Sequence, residues 1–238
     1  MRVEILYPEI CNLCGELMNM RYLKQCCPDM EVISTDLKSR PVFLDEAVDL
    51  VYLGSTTEKG LQLVVNALTP VKDELTAKID AGQRMLVTGN ALDAIGLDVT
   101  SDDGLKFDGL GLLPTHARYQ MMRRHNSFFL GKFGEDITIM GFKSLFGHTY
   151  DAPEENGLFT VTRGVGRNPA SSLEGFRRGN LMATYLTGPL LVLNPDFTRW
   201  LLREMGFVCE KLAFEDAAMD AYRQRLTEFS DERRNPIG

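Results

Sequence analysis

Short apolar runs alternate with longer stretches of helical periodicity through the first hundred residues. Three of the four apolar runs end at a glycine or proline turn, as a strand would, and helical spacing follows them. The predicted strands are 3–7, 30–35, 48–54 and 84–89, and the predicted helices are 16–27, 57–80 and one that begins at Asn90. Such β-then-α units predict an α/β fold with a mainly parallel, doubly wound sheet flanked by helices, whose ligands lie at the carboxyl ends of the strands.

The second half of the chain is richer in strand patterns, with glycine-rich turns between them. The predicted strands there are 119–133, 136–142, 158–163 and 180–185, and the predicted helices are 196–205 and 214–229. No linker rich in proline, glycine and serine divides the 238 residues. Residues 1–230 are therefore predicted to form a single domain, and 231–238 a charged, frayed tail.

Charge and composition narrow the class of protein. The net charge is −7 and the basic residues are scattered, which argues against a nucleic-acid partner. No apolar run approaches the roughly 18 residues of a membrane-spanning helix, and Glu4 interrupts the apolar start where a secretory signal would lie. The expectation is a cytoplasmic protein without a membrane partner, its five cysteines reduced.

Cys11 and Cys14 form a C-x-x-C motif, which could bind zinc or act as a redox pair. No second pair of ligands stands at a suitable spacing, because Cys26 and Cys27 are adjacent. The alternative, two small apolar residues on a turn before a helix, is favoured. No metal and no cofactor is predicted.

The segment 84–96 predicts a strand that turns sharply into a helix. Such an elbow raises one side chain above the sheet edge and directs helix N–H groups towards it, which suits a nucleophile and its oxyanion. The tip of this elbow is Gly89, which can adopt the strained backbone but has no side chain to attack a substrate.

Several segments, in order along the chain, resemble the class I glutamine amidotransferases of the cobyric acid synthase and lipid II isoglutaminyl synthase type. They are LYPEICNLCG at 6–15, LGST at 53–56, LVTGNALDAIG at 86–96, GLGLL at 109–113, GFKSLFGHTY at 141–150 and ATYLTGPLL at 183–191. The usual acidic, amide and histidine residues after the Gly-Phe of the fifth segment are missing. The resemblance implies that Gly89 stands in place of the catalytic cysteine and Thr187 in place of the catalytic histidine.

The resemblance also implies a vestigial oxyanion turn at Gly54, Ser55 and Asn90. Glutamine hydrolysis needs a thiolate and a proton shuttle, so loss of both residues removes the relay and predicts no glutaminase activity. Thr88 precedes the elbow tip and is expected to point away from the site, because side chains alternate along a strand. No catalytic residue is assigned.

Three residues are candidates for ligand binding, each with a plainer alternative. The family carries basic residues near Arg123 and Arg124 that face glutamine, although a pair of charges is more often a solvated edge. His148 lies in a turn and could replace the missing base, but no thiol or hydroxyl is placed by sequence to use it.

Two functions remain open. The first is a non-catalytic or regulatory partner of a Mur-ligase-like or other ATP-dependent synthetase in cell-wall or cobalamin-type amidation, an expectation that rests on the resemblance. The second is an active glutamine amidotransferase, or another hydrolase, that uses an unrecognised nucleophile in the same cleft.

Overall fold

The computed structural model describes residues 1–237, which form two sheets and the helices around them. The strands are β1 Arg2–Leu6, β2 Glu31–Thr35, β3 Leu50–Leu53, β4 Met85–Thr88, β5 Asp98–Ser101, β6 Lys106–Asp108, β7 His116–Tyr119, β8 His125–Phe133, β9 Ile137–Leu145, β10 Gly147–Tyr150, β11 Gly157–Arg163, β12 Leu173–Arg178 and β13 Leu181–Thr184. The α-helices are α1 Met18–Cys26, α2 Glu58–Leu68, α3 Lys72–Asp80, α4 Ala91–Ala94, α5 Leu190–Leu193, α6 Pro195–Glu204 and α7 Glu215–Ser230.

The larger sheet has nine strands in the order β2-β1-β3-β4-β13-β12-β11-β8-β9. Taken in this spatial order, neighbouring strands from β2 as far as β13 pair in parallel, and neighbouring strands from β13 to β9 pair antiparallel. The predicted α/β class is confirmed, and so is the change of character in the second half of the chain.

Side-chain alternation on the central strands builds a core on each face of this sheet. On β3, Val51 and Leu53 belong to the cluster that covers α2, α3 and α4, whereas Leu50 and Tyr52 belong to the cluster under α1, α5 and α6. All four side chains are fully buried. A strand buried on both faces reads as a continuous apolar run, which is why β3 could be predicted.

A second sheet, β10-β7-β5-β6, corrects the sequence prediction of one strand over 119–133. Strand β7 ends at Tyr119 and β8 begins at His125. Between them the chain turns, and the N–H of Arg123 donates to the carbonyl of Gln120. The polar run from Gln120 to Arg124 lies in this turn.

The predicted helix over 57–80 is also interrupted. Helix α2 ends at Leu68, a 3₁₀ turn covers Thr69–Val71, and α3 begins at Lys72. Pro70 lies in that turn, and proline has no N–H to continue the helical ladder and clashes with the preceding turn. Proline at this position therefore separates two helices with the same apolar spacing.

Residues 231–237 of the charged segment, for which fraying stays a prediction, contact the rest of the protein. The guanidinium of Arg163 donates to the carbonyls of Phe229, Asp231 and Arg234. Farther along, the N–H of Phe128 donates to the carbonyl of Pro236. The domain boundary at 230 stays a prediction. Within 1–237, no helix has the length and apolarity that crossing a membrane requires.

Candidate functional site

Three loops meet where neighbouring parallel strands end. Strands β3, β4 and β13 lie side by side, with Leu53 opposite Val87 and Thr88 opposite Thr184. Their carboxyl ends lead directly into Gly54-Ser55, into Gly89-Asn90 and, three residues later, into Thr187-Gly188. The topology thus brings the predicted vestigial positions to the sheet edge at which α/β proteins bind ligands.

Gly89 occupies the elbow with φ at +65°, a conformation that favours glycine. A Cβ atom added at this position would lie 2.5 Å from the Cβ and 2.6 Å from the Oγ of Ser55. Carbon atoms do not approach this closely without displacement. The elbow therefore lacks a nucleophile and also lacks the space for one, because Ser55 fills it.

Asn90 joins the two turns through its side chain. Its Oδ1 accepts a hydrogen bond of 3.0 Å from the Ser55 hydroxyl and another of 3.0 Å from the N–H of Thr56. Within residues 1–237, the N–H groups of Ser55 and Asn90 donate to no protein acceptor. These are the two N–H groups of the predicted vestigial oxyanion turn, and both are left without an acceptor beside a glycine that carries no nucleophile.

Thr187 is buried and its polar groups are occupied. Its Oγ1 donates to the carbonyl of Phe142 at 3.2 Å, and its backbone forms an isolated β-bridge with the same residue. A hydroxyl engaged in this way, with a pKa far above neutrality, cannot take a proton from a nucleophile near pH 7. Thr187 ties the loop to β9.

A buried carboxyl group that the sequence analysis missed holds this loop from the other side. Glu16 is fully buried, and its Oε1 accepts the N–H of Gly188 at 3.1 Å. Burial raises the pKa of Glu16, against the lowering effect of hydrogen bonds from Thr88, Gly188 and other neighbours. The Thr88 hydroxyl also lies 2.8 Å from the Tyr52 hydroxyl. This contact is buried on the face of the sheet that α1 covers.

A second buried carboxyl group lies under the elbow, on α4. Asp93 accepts hydrogen bonds of 2.5 Å from the hydroxyls of Tyr119 and Tyr185. Burial raises the pKa of Asp93 to about 7, although both hydrogen bonds act to lower it. The only sequence signal was an acidic residue at an apolar position of a helix, which is weak by itself.

The cleft above these groups is small, with a volume of about 80 Å³. Its lining includes Ser55, Asn90, Tyr119, Arg124 and Cys14. In residues 1–237, none of the other four cysteines lines it. Cys14 is an exposed residue, but partial desolvation of its sulfur and the nearby Glu16 raise the pKa of the thiol, and Arg124 only partly opposes them. The thiol that borders the cleft is thus not an activated one.

Lys143 stands directly after the Gly-Phe of the fifth family-like segment. It is fully buried, with its Nζ 2.6 Å from the carbonyl of Gly166 and 3.4 Å from Oε1 of Glu174. Glu174 also accepts from the Thr184 hydroxyl and the N–H of Tyr185. A structural ion pair therefore lies behind the loop that carries Thr187.

The three candidate ligand-binding residues come together in a larger pocket beside the small cleft, and Arg124 lines both. Arg123, Arg124 and His148 line this larger pocket on the face of the second sheet, with a volume of about 460 Å³. Sequence analysis missed Arg118, Tyr150 and other members of the same lining, because β7 and β10 were not predicted. His148 lies beside His125 and away from the lining of the elbow cleft.

Within residues 1–237, no group of three or more histidine, cysteine, aspartate or glutamate side chains could hold a metal ion. Cys11 is buried and Cys14 is exposed, on a turn where Cys14 has a φ of +61°. The C-x-x-C motif thus lies on a turn leading to α1.

Comparisons with known proteins agree with this architecture. The chain is 26% identical over 215 residues to the lipid II isoglutaminyl synthase (glutamine-hydrolyzing) subunit GatD of Staphylococcus aureus, an alignment that covers 88% of this chain and 85% of the relative. It is 22% identical over 232 residues to the subunit of the same name from Streptococcus pneumoniae, covering 94% and 86%.

Solved structures share the fold at low sequence identity. A glutamine amidotransferase crystal structure matches with a TM-score of 0.57 at 11% identity, covering 85% of this chain and 98% of that one. The glutaminase domain of Trypanosoma brucei CTPS with bound acivicin matches with a TM-score of 0.54 at 8% identity, covering 87% and 94%. The model of the CobB/CobQ-like glutamine amidotransferase domain matches residues 2–194, most of the chain. The chain therefore belongs to the CobB/CobQ-like glutamine amidotransferase domain family.

Proposed function

We propose that this protein is an amidotransferase-like subunit without glutaminase activity of its own, which serves a Mur-ligase-like ATP-dependent enzyme in cell-wall or cobalamin-type amidation. The observation that carries the proposal is the contact between Ser55 and the empty side-chain position of Gly89. A site that had lost only its cysteine would keep the space for one. Here that space is filled by a side chain hydrogen-bonded to Asn90.

The scaffold around the site supports a binding role. The loop at Thr187-Gly188 is anchored by Phe142 and Glu16, and both turns beside it are joined through Asn90. Rigid loops at a sheet edge suit a surface that positions another protein. Two relatives are subunits of lipid II isoglutaminyl synthase, which favours an assembly in cell-wall amidation. An ATP-consuming partner agrees with a cytoplasmic location.

The test combines an activity measurement with an assembly measurement. The purified protein is incubated with glutamine, with and without a Mur-ligase-like protein from the same organism, and ammonia is measured. The glutamine-hydrolyzing Staphylococcus aureus relative is the positive control. We expect no ammonia above the buffer blank, and a stable complex by size-exclusion chromatography with light scattering. Absence of a complex would contradict the proposed partner. Release of ammonia would contradict the proposed absence of glutaminase activity.

An active enzyme remains the second candidate because Cys14 borders the cleft next to Ser55 and Asn90. Its raised pKa disfavours this role. If Cys14 were the nucleophile, ammonia release would disappear in Cys14→Ser and persist in Cys209→Ser, a matched change at a partly exposed thiol outside the cleft. Equal activity of the two variants would exclude Cys14.

A further inference from the structure

The pocket beside the elbow cleft is built on one face of the β7–β10 pair. These strands are antiparallel, with His148 directly opposite Arg118. Because side chains alternate along a strand, Tyr150 projects on the same side as His148. Arg118, His148 and Tyr150 line the pocket, and Gln120, in the turn after β7, lines it as well. Most of the floor is therefore formed by regular secondary structure, which fixes the spacing of these three side chains.

Two of the three arginines in the lining rest on aromatic rings. The guanidinium carbon of Arg124 lies 4.5 Å from the ring centroid of Phe146, and that of Arg118 lies 5.0 Å from the ring centroid of Tyr150. Contact with a ring face restrains a guanidinium while leaving N–H groups on its edge for an anion. The third, Arg123, is exposed, and within 1–237 its side chain forms no hydrogen bond or ion pair.

The charge of the pocket is opposite to that of the chain. The net charge of the protein is −7, yet the lining consists of three arginines, two histidines, a glutamine and two aromatic residues, without a carboxylate. The nearby Asp151 pairs with Arg118 at 3.0 Å, but both side chains are more than half exposed. Such a surface pair neutralises little. An anion would find positive charge on several sides.

The absence of a carboxylate from this lining also separates possible ligands. A free amino acid such as glutamine carries an ammonium group, which needs an acceptor of matching charge or several neutral acceptors. A phosphate or pyrophosphate group carries only negative charge and fits bidentate donation from arginine. The lining is thus better matched to a phosphorylated ligand than to a zwitterion.

Two histidines complete the lining of this pocket. The rings of His125 and His148 lie 5.0 Å apart in an edge-to-face arrangement. Burial lowers the pKa of both, to about 4 for His148, so both are neutral near pH 7 and each can donate one N–H. Within residues 1–237, the buried Nδ1 of His148 has no hydrogen-bond partner.

We propose that this pocket, formed by Arg118, Arg123, Arg124, His125, His148 and Tyr150, binds the phosphate or pyrophosphate group of a small molecule. Its volume of about 460 Å³ lies in the range of small-ligand sites. Arg124 and Phe146 line both this pocket and the elbow cleft. A ligand bound in the larger pocket would therefore contact side chains that also line the elbow cleft.

The experiment is a calorimetric titration of the full chain with inorganic pyrophosphate, with ADP and farnesyl diphosphate in parallel. We expect saturable binding of pyrophosphate, with Kd raised at least about tenfold in the double variant Arg123→Gln/Arg124→Gln. The matched control is Arg21→Gln/Arg203→Gln, which removes the same charge from exposed arginines outside the pocket. Its Kd should change less than about twofold. Tighter binding of ADP or of farnesyl diphosphate than of pyrophosphate would distinguish a nucleotide from a lipid-linked diphosphate.

Three results would overturn the proposal: no saturable binding of any phosphorylated probe, equal losses in the pocket and control variants, or saturable binding of glutamine in preference to pyrophosphate. Thermal denaturation of each variant establishes that it is folded, and His148→Asn supplies an independent variant. Because neither ammonia release nor partner assembly is measured, failure here would leave the proposed function standing.

Discussion

Lys143 and Glu174 form an ion pair in which neither side chain is exposed to solvent, with 3.4 Å between Nζ and Oε1. Such a pair contributes little relative to well-packed apolar residues, but removing one partner leaves a buried charge. We expect Lys143→Met to lower the free energy of unfolding by about 3–5 kcal/mol. Denaturant titration measures this change.

The second partner provides the control for that prediction. The double variant Lys143→Met/Glu174→Gln should recover more than about 1 kcal/mol of the loss, because a glutamine carbonyl can still accept the N–H of Tyr185. Arg223→Met, in an exposed pair with Asp220, should cost less than about 0.5 kcal/mol. If the double variant were no more stable than Lys143→Met, burial of an unpaired charge would not be the cause.

A side chain at position 89 should be tolerated only when Ser55 is removed. Gly89→Ala should destabilise the fold by about 2–4 kcal/mol, through a positive φ and a contact of 2.5 Å with Ser55. Adding Ser55→Gly should remove the steric part, at least about 1 kcal/mol. Gly134→Ala is the matched control, since Gly134 has a φ of +59° and no atom within 4 Å of its added Cβ. Ser55→Gly should not improve that variant.

Restoring the family's catalytic residues should require the same third change. We expect Gly89→Cys/Thr187→His to resist covalent labelling by a diazo-ketone analogue of glutamine, and the addition of Ser55→Gly to allow labelling, because it opens the space beside the elbow. Intact mass spectrometry measures one added group per chain. Cys14→Ser in the same background excludes label on the thiol that borders the cleft. Equal labelling of the double and triple variants would show that Ser55 does not obstruct the site.

Asp93 should make stability depend on pH. Its pKa is about 7 in the folded state, above the ordinary value of 3.8, so its stabilising contribution is complete below about pH 4 and is lost as the pH rises through 7. Asp93→Asn should therefore become more stable relative to the parent between about pH 5 and pH 8. Each unit of pKa difference corresponds to about 1.4 kcal/mol, so the change can reach a few kcal/mol. Thermal denaturation at both pH values checks it; Asp108→Asn, on an exposed side chain, should show no such trend.

The first half of the fold could be predicted because its strands are buried on both faces. Continuous apolar runs such as Leu50–Leu53 stand out against helical spacing, and both signals are local. The second sheet could not be predicted in this way. Strands of three or four residues, such as Lys106–Asp108 and Gly147–Tyr150, are too short and too polar for periodicity to separate them from turns.

The family could be predicted from the resemblance, and the matching domain model confirms it. The assignment of Gly89 and Thr187 as former catalytic positions stays a prediction. What no local pattern could reveal is the contact between Ser55 and Gly89, which depends on how closely two turns 34 positions apart approach each other. The buried roles of Glu16 and Asp93 depend likewise on partners distant in sequence.

The contact between Ser55 and position 89 also implies an order of events in the history of the cleft. If a cysteine once stood at the elbow, as the predicted family position implies, a serine placed as Ser55 is here would have collided with it, so the change at position 89 would have come first or together with Ser55. With Ser55 in place, return of the cysteine alone would be sterically unfavourable. Descendants of this sequence would therefore regain the nucleophile only through an intermediate that first gives up Ser55, and selection for hydrolysis cannot favour that step by itself.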